Sequence, residues 1–553
     1  MPGEPSTTHA VTIDQMGESA LLVTLGEGIS PRLNDHVHAL AGNLRQLEIP
    51  GVLDIVPAYA SILVTFDDAA VGQHQLSEHI HRSLTLQSPL DTSVPRTHAI
   101  PVAYGGENGP GLESLATTLG LTPIELVRRH TSRSYRVYFL GFMPGFAYLG
   151  GLDPTIAAPR LASPRVRVPA GSVGIAGEQT GVYPLTSPGG WQLIGRTGVE
   201  LWDVERDPPA LLAPRDEVRF VASEDVILHK PAVSNPVELG EPSSIPVFTV
   251  EAPGALTTVQ DLGRPGYAHL GLSSGGAMDS LAVEVANTTL GNAADAAALE
   301  ITWSGPTLRC QATTVIALAG RDLGCRVDGM LVPCGISWLV RAGSVIRFAG
   351  AQGRGARCYL AVAGGFSVPK VLGSRSTYLP GGFGGYAGRQ LRSGDVLCSS
   401  TPTRSAAELA GRLNPNASHI APPMTTLRYV PYLGQGCVAI GLREHADAIT
   451  YEVSPASDRM GIRLLPEHDG ALAWKGSELM SFGVPQGAIQ LPPGGTPVVL
   501  GADHQTTGGY PVLGVVAKAD WPLVAQLKPG AKVRLQQVTL EEARGMRSAV
   551  RTR

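Results

Sequence analysis

The chain has 553 residues, 43% hydrophobic and 16% charged, with a formal net charge of −4. That length exceeds one hydrophobic core and implies about two to four domains, and the near-neutral balance gives no reason to expect nucleic acid or an anionic membrane as partner. No apolar run approaches the ~20 residues of a bilayer-spanning helix, while 67 glycines and 44 prolines without low complexity point to many short strands joined by tight turns.

In chain order, "MPGEPSTTHAVTIDQMG" lacks the basic start and apolar stretch of a signal peptide, so a cytoplasmic location is expected. "SALLVTLG" (19–26) and "SILVTFD" (61–67) read as strands. Between them Leu33, Val37, Leu40, Leu44 and Leu47 make one apolar helical face, with Ser30 as N-cap and Pro31 at the first helical position. A second helix near 74–85 turns Leu76, Ile80 and Leu84 inward, giving 1–100 as a small α+β subdomain. "TPIELVRRHT" (122–131) opens with a capping-box pattern, Thr122 to Glu125. From Tyr135 to about Val226, short β segments punctuated by Pro-Gly and Gly-Gly predict an antiparallel barrel or sandwich, within a domain at 101–228. The proline-rich stretch 229–246 reads as a linker between independently folding halves. Residues 247–405 form the first subdomain of the second half, with one helix at about 279–290. After a composition break, 424–540 form a last β-rich subdomain. The fold class is mainly β with α+β. All six cysteines lie at or beyond Cys310 without a Cys-x-x-Cys pair, which predicts free thiols in a reducing compartment. His74 and His79 are five apart and share no helical face, so no metal site is expected.

Two motifs recur in the same order. "VPAGSV" (168–173) precedes "QTGVYP" (179–184), and "VPQGAI" (484–489) precedes "QTTGGYP" (505–511). The repetition predicts two related barrels facing each other about a pseudo-twofold axis, with loops from both lining a small-molecule cleft.

The residues also carry a family resemblance. "FLGFMPGFAYLGGLDP" (139–154), "RVPAGSVGIAG" (167–177), "QTGVYP" and "SPGGWQLIGRT" (187–197) resemble the B component of 5-oxoprolinase, a family also labelled allophanate hydrolase subunit 1 or kinase A inhibitor. "TTVQDLGRPGYAHLGL" (257–272), "GGAMD" (275–279), "GSRSTYLPGGFGG" (373–385), "SDRMG" (457–461) and "QTTGGYP" resemble its C component. Together they cover nearly the whole chain, and the paired modules also resemble the carboxyltransferase region of urea carboxylase. The resemblance implies cyclophilin-like barrels in both halves. It also implies ATP-dependent opening of 5-oxoproline to glutamate, with ATP and magnesium, jointly with a separate A component. The chain departs from the family pattern at "PYLGQGCVAIGL" (431–442), where a Gly-Pro-acidic segment leading to an aromatic is expected.

Opening an unactivated lactam calls for donors around a phosphate and a cradle for a planar amide. Gly145, Gly171, Gly189 and Gly190 lie in loops whose N–H groups could serve a phosphate, although Pro-Gly and Gly-Gly are equally turn chemistry. Gln179 and Gln505 each present an amide plane complementary to a lactam, with Tyr183, Tyr510 and Phe146 as walls; duplicated structural turns are the alternative. Alanine at either glutamine is expected to cut activity more than about tenfold, roughly 1.4 kcal/mol. Arg459, Arg375 and Arg196 are candidate anion forks, against ordinary structural arginines. Asp279 is a general-base candidate that also suits a helix N-cap, with Gly291 at the far end. His130 reads as a residue at a helix C-terminus. No Lys precedes Ser or Thr, so ATP would bind without a Walker loop, and no Met-Lys-Met occurs, so no covalently attached biotin is expected. Three functions follow: a fused B/C component of a 5-oxoprolinase, a carboxyltransferase taking biotin from another protein, or a histidine-kinase inhibitor. A homo-oligomer is compatible with each.

Overall fold

A computed structural model describes residues 11–551 except 86–94, 162, 164, 225–242, 351–354, 418–423, 435, 439, 468–471, 473 and 475–478; most of the expected linker lies outside these. The N-terminal layer is a four-stranded sheet of Thr12–Gln15, Ala20–Thr24, Ser61–Phe66 and Val52–Pro57 with helices Pro31–Gln46 and Gln73–Thr85. Ser30 caps the first helix and Pro31 begins it, as its spacing predicts, but Leu47 falls beyond the last turn and is exposed. Successive strand side chains point to opposite faces. Leu21, Val23, Ile62 and Val64 therefore meet the helices, while Ala20, Leu22 and Leu63 meet the C-terminal barrel. Burial on both faces explains why "ALLV" is apolar without alternation.

Two closed seven-stranded barrels follow. Strands one to seven of the first are Thr97–Tyr104, Tyr135–Leu140, Ala147–Gly150, Ser172–Ala176, Gln179–Val182, Gln192–Arg196 and Glu217–Ala222. Those of the second are Met424–Pro431, Thr450–Val453, Gly461–Pro466, Ala488–Gln490, Val498–Leu500, Val512–Val516 and Lys532–Gln537. Around both barrels the order is 1-6-4-5-3-2-7. Each closes by a parallel pairing of strands one and seven, so the barrels are not wholly antiparallel. Each also carries a side ribbon: Arg165–Val168 with Ser187–Gly189 in the first, Phe482–Gly483 with Thr507–Gly508 in the second.

The shared order corrects the register of the sequence repeat. "VPAGSV" and "VPQGAI" both lead into strand four. "QTGV", however, is strand five itself, whereas "QTTGGYP" lies between strands five and six. Its counterpart in the first barrel is "TSPGGWQ" (186–192), which sets Tyr510 against Trp191. Similar short strings fall at different places in one topology, because glycine-rich turns converge on similar letters.

Between the barrels lies a sandwich of a seven-stranded and a five-stranded sheet. One core fills the space between the sheets, and helix Ser280–Thr289 packs on the outer face of the five-stranded one. The halves are interlocked crosswise. Leu272, Tyr378 and Phe383 of the second half enter the core of the first barrel, and the N-terminal sheet closes one side of the second.

Candidate functional site at the seam

The seam begins with Asn34. Buried on the first helix, it donates to the carbonyls of Ala58 (3.1 Å) and Tyr59 (3.3 Å), fixing the turn that presents Tyr59. The Tyr59 ring lies 5.3 Å from Tyr138, 4.9 Å from Phe139 and 6.1 Å from Tyr148, centroid to centroid. Phe146 extends the cluster to Tyr148 (5.2 Å), Tyr183 (5.6 Å) and Trp191 (5.5 Å). Such edge-on contacts hold rings rigidly, and Met480 of the second half packs on the same cluster.

The second barrel reaches this wall with its ribbon. The Phe142 N–H donates to Thr507 Oγ1 at 3.0 Å, and a Cβ added to Gly141 would stand 2.2 Å from that oxygen, so only glycine fits. The Thr507 and Ser481 side chains lie close enough to the Tyr148 hydroxyl to favour its ionised form, though burial outweighs them. Burial pushes the Tyr148 and Tyr183 phenols above their usual range, which keeps both protonated as donors near neutral pH. Beside this contact an open cleft lies between Ala60–Ser61, Gly436 and residues 479–482.

The two motif tyrosines and glutamines separate. Tyr183 joins the aromatic wall, and Tyr510 lies near enough to Tyr148 to affect its phenol. Gln505 donates to Gln490 Oε1 at 2.9 Å on the second barrel, whereas Gln179 opens strand five beside the exposed Gly177–Glu178 turn. The Gln490 amide nitrogen is buried without a partner. Thr180, the neighbour of Gln179, is structural. Its hydroxyl donates to the Gly174 carbonyl (3.0 Å), so it accepts from His130 Nε2 (2.9 Å), leaving His130 Nδ1 to accept from the Tyr104 hydroxyl (2.7 Å). Burial lowers the His130 pKa to about 3.

Several candidates of the sequence prove to be framework. Arg459 is buried with every face engaged: Nε and Nη2 hold Asp503 (2.8 and 3.1 Å), Nη1 holds Glu300, and Nη2 also meets the Gly276 carbonyl. It ties the loop preceding Gln505 to the sandwich and offers no fork to a ligand. Asp279 is buried and accepts from the Ala282 N–H (3.0 Å) as N-cap of Ser280–Thr289. Arg375 donates to the Val368 carbonyl and Arg196 to the Ala170 carbonyl. Gly145 and Gly171 direct their N–H groups to the carbonyls of Leu270 (2.9 Å) and Tyr183 (2.7 Å), which removes them from a phosphate cradle. Gly189 lies in the side ribbon opposite Arg165, and the Gly190 carbonyl accepts from the Leu161 N–H. The capping box is half made: Thr122 accepts from Glu125 N, while the Glu125 carboxylate takes Arg128 and Arg129 instead. Among the described residues no cluster of His, Cys, Asp and Glu could hold a metal ion, and no helix is long and apolar enough to cross a membrane. Tyr59, Tyr148, Ser481, Gln490 and Thr507 escaped the sequence reading.

Twin barrels of one topology, joined through an interdomain cleft, define the class. The family model described as "Carboxyltransferase domain, subdomain C and D" matches residues 11–212, and "Carboxyltransferase domain, subdomain A and B" matches 270–537. The first half is 43% identical over 227 residues to the B component of 5-oxoprolinase from Bacillus subtilis, covering 39% of this chain and 95% of that protein. The second is 36% identical over 295 residues to the C component of 5-oxoprolinase from Escherichia coli, covering 52% of this chain and 91% of that protein. The crystal structure of TTHA0988 superposes with a TM-score of 0.81 at 36% identity, covering 94% of this chain and 99% of that one. The chain therefore belongs to the carboxyltransferase domain family, with its first half of the 5-oxoprolinase B type and its second of the C type.

Proposed function

We propose that the chain is the fused B/C component of an ATP-dependent 5-oxoprolinase, opening 5-oxoproline to L-glutamate in the cytoplasm together with a separate A component. The observation that carries this reading is the union, in one polypeptide, of nearly full-length relatives of the B and C components. The seam suits a small planar amide: rings form one wall, and hydroxyls of Tyr148, Ser481 and Thr507 lie beside the cleft. ATP, with magnesium, would make the lactam oxygen a leaving group by phosphorylating it, and the seam would orient the ring and limit water. Purified chain mixed with a 5-oxoprolinase A component, Mg-ATP and 5-oxoproline should release glutamate and ADP in equal amounts. No glutamate from the complete mixture, with every component folded, would overturn the reading.

A second reading, transfer of carboxylate from biotin to an amide, is favoured by the description of the matching family models. It would require a biotin-bearing partner, and carboxylation of urea by such a mixture would select it.

A further inference from the structure

Arg264 lies where the sandwich meets both barrels. Glycines press its loop against the following one: a Cβ on Gly276 would stand 2.7 Å from the Gly263 nitrogen, and one on Gly263 would stand 2.5 Å from the Ser274 carbonyl oxygen. The Arg264 N–H donates to that carbonyl at 2.7 Å, and the Ala277 N–H donates to the Asp261 carbonyl at 2.9 Å. The Arg264 side chain is 2% exposed. Its Nη2 donates to the Ser376 carbonyl and its Nε to the Val371 carbonyl at 3.4 Å. The guanidinium stands 5.4 Å from the ring centroid of Phe383, which enters the first barrel's core. Nη1 has no hydrogen-bond partner among the described residues. Such a donor on a buried cation is costly unless a ligand or water meets it. Nη1 faces half-buried Gly275: a Cβ built there would have Arg264 Nη1 at 3.4 Å and Asp503 Oδ1, from the second barrel, at 3.6 Å as its near neighbours. Arg459 already holds the Asp503 carboxylate, but Oδ1 keeps a second lone pair.

We propose that Arg264 Nη1 and Asp503 Oδ1, side by side over Gly275, bind the cis edge of a small planar amide: the carbonyl oxygen and N–H that a lactam or cyclic ureido group carries on one side. The cation donates to the oxygen and the carboxylate accepts from the N–H. Open-chain secondary amides are trans and turn these two groups to opposite sides, so the pair selects rings. Glycine at 275 leaves the edge room to approach. None of these residues lines the cleft between Ala60 and Phe482, so the site is additional to it. The inference rests on the preceding reading only for the substrate class, and it needs neither ATP nor the A component.

The test compares, by ligand-observed NMR on the full chain, 5-oxoproline and imidazolidinone (a cyclic urea) with their N-methylated forms and with N-acetylglycine, whose open-chain amide is trans. At least one ring bearing N–H should bind about tenfold or more tightly than its methylated form and the open amide. That preference should vanish in Gly275→Ala, whose methyl group fills the approach at ordinary contact distance, and in Arg264→Lys, which lacks the second terminal nitrogen. Thermal melting checks that each variant is folded. Tighter binding of the lactam assigns the site to the substrate ring, and tighter binding of the cyclic urea assigns it to the ureido ring of a carried biotin; either upholds it. No binding of either ring, equal binding of N–H and methylated rings, or a preference that survives in either folded variant would overturn the site and leave a structural water between Arg264 and Asp503. An N–H preference in a chain that yields no glutamate in the complete mixture would uphold the site and reject the reaction. Glutamate production without that preference would do the reverse.

Discussion

Single residues show how burial sets both tolerance and titration. Gly171 has φ +80°, and a Cβ there would stand 2.1 Å from the Thr197 carbonyl oxygen. Gly171→Ala should therefore cost about 2–4 kcal/mol, read as a lower urea midpoint. His130 titrates near 3 in the fold against 6.5 in the unfolded chain. The unfolded state takes the proton first, so this contribution is complete above pH 6.5 and is lost as pH falls toward 3, by about 1.4 kcal/mol per pH unit at most. His38 and His269, both near 4, act in the same direction. Asp54 opposes them. Burial raises its pKa to about 6, so its contribution declines as pH rises from about 4 to 6. Urea midpoints from pH 4 to 7 should rise with pH in wild type and rise less steeply in His130→Gln.

Elements explain which motifs misled. A helix face is set by nearest neighbours, and Ser30, Pro31, Val37, Leu40 and Leu44 take the places their spacing implies. Turn strings are poorer guides: "QTGVYP" and "QTTGGYP" share letters, but the first opens strand five and the second follows it. The ribbon Thr507–Gly508 takes its role instead from contact with the loop Gly141–Phe146. Gly141→Ala would drive a methyl group into Thr507, and Thr507→Val would remove the acceptor of the Phe142 N–H. Each should depress kcat/KM at least about tenfold while the circular dichroism of the barrels persists. Unchanged kinetics in both would separate the ribbon from the site.

The whole molecule is held together across the expected linker. Asp54 of the N-terminal sheet accepts from the N–H groups of Gly266 (2.9 Å) and Ala268 (3.0 Å), Lys518 pairs with Asp68 at 2.7 Å, and the Lys518 N–H reaches Glu18. With two shared cores besides, the halves should behave as one body. Expressed as separate chains divided within 229–246, they should co-purify as a one-to-one complex. Asp54→Ala, which strands two backbone donors, should weaken that complex by about 2–4 kcal/mol in titration. Independent, non-associating halves would contradict the crosswise packing.

Local sequence determined the first two helices, the Ser30 cap and the β-rich character, because each rests on contacts among residues close along the chain, whereas each barrel is closed by strands more than a hundred residues apart. The repeat's register, the burial of both faces of the N-terminal sheet and the seam itself were decided only by tertiary structure. Tyr59, Tyr148 and Thr507 come from three elements hundreds of residues apart at their extremes, and no spacing rule links them. The same holds for Arg459: beside small residues its charge looked available, but folding brings it Asp503 and Glu300, and a buried guanidinium with both carboxylates is a fastener.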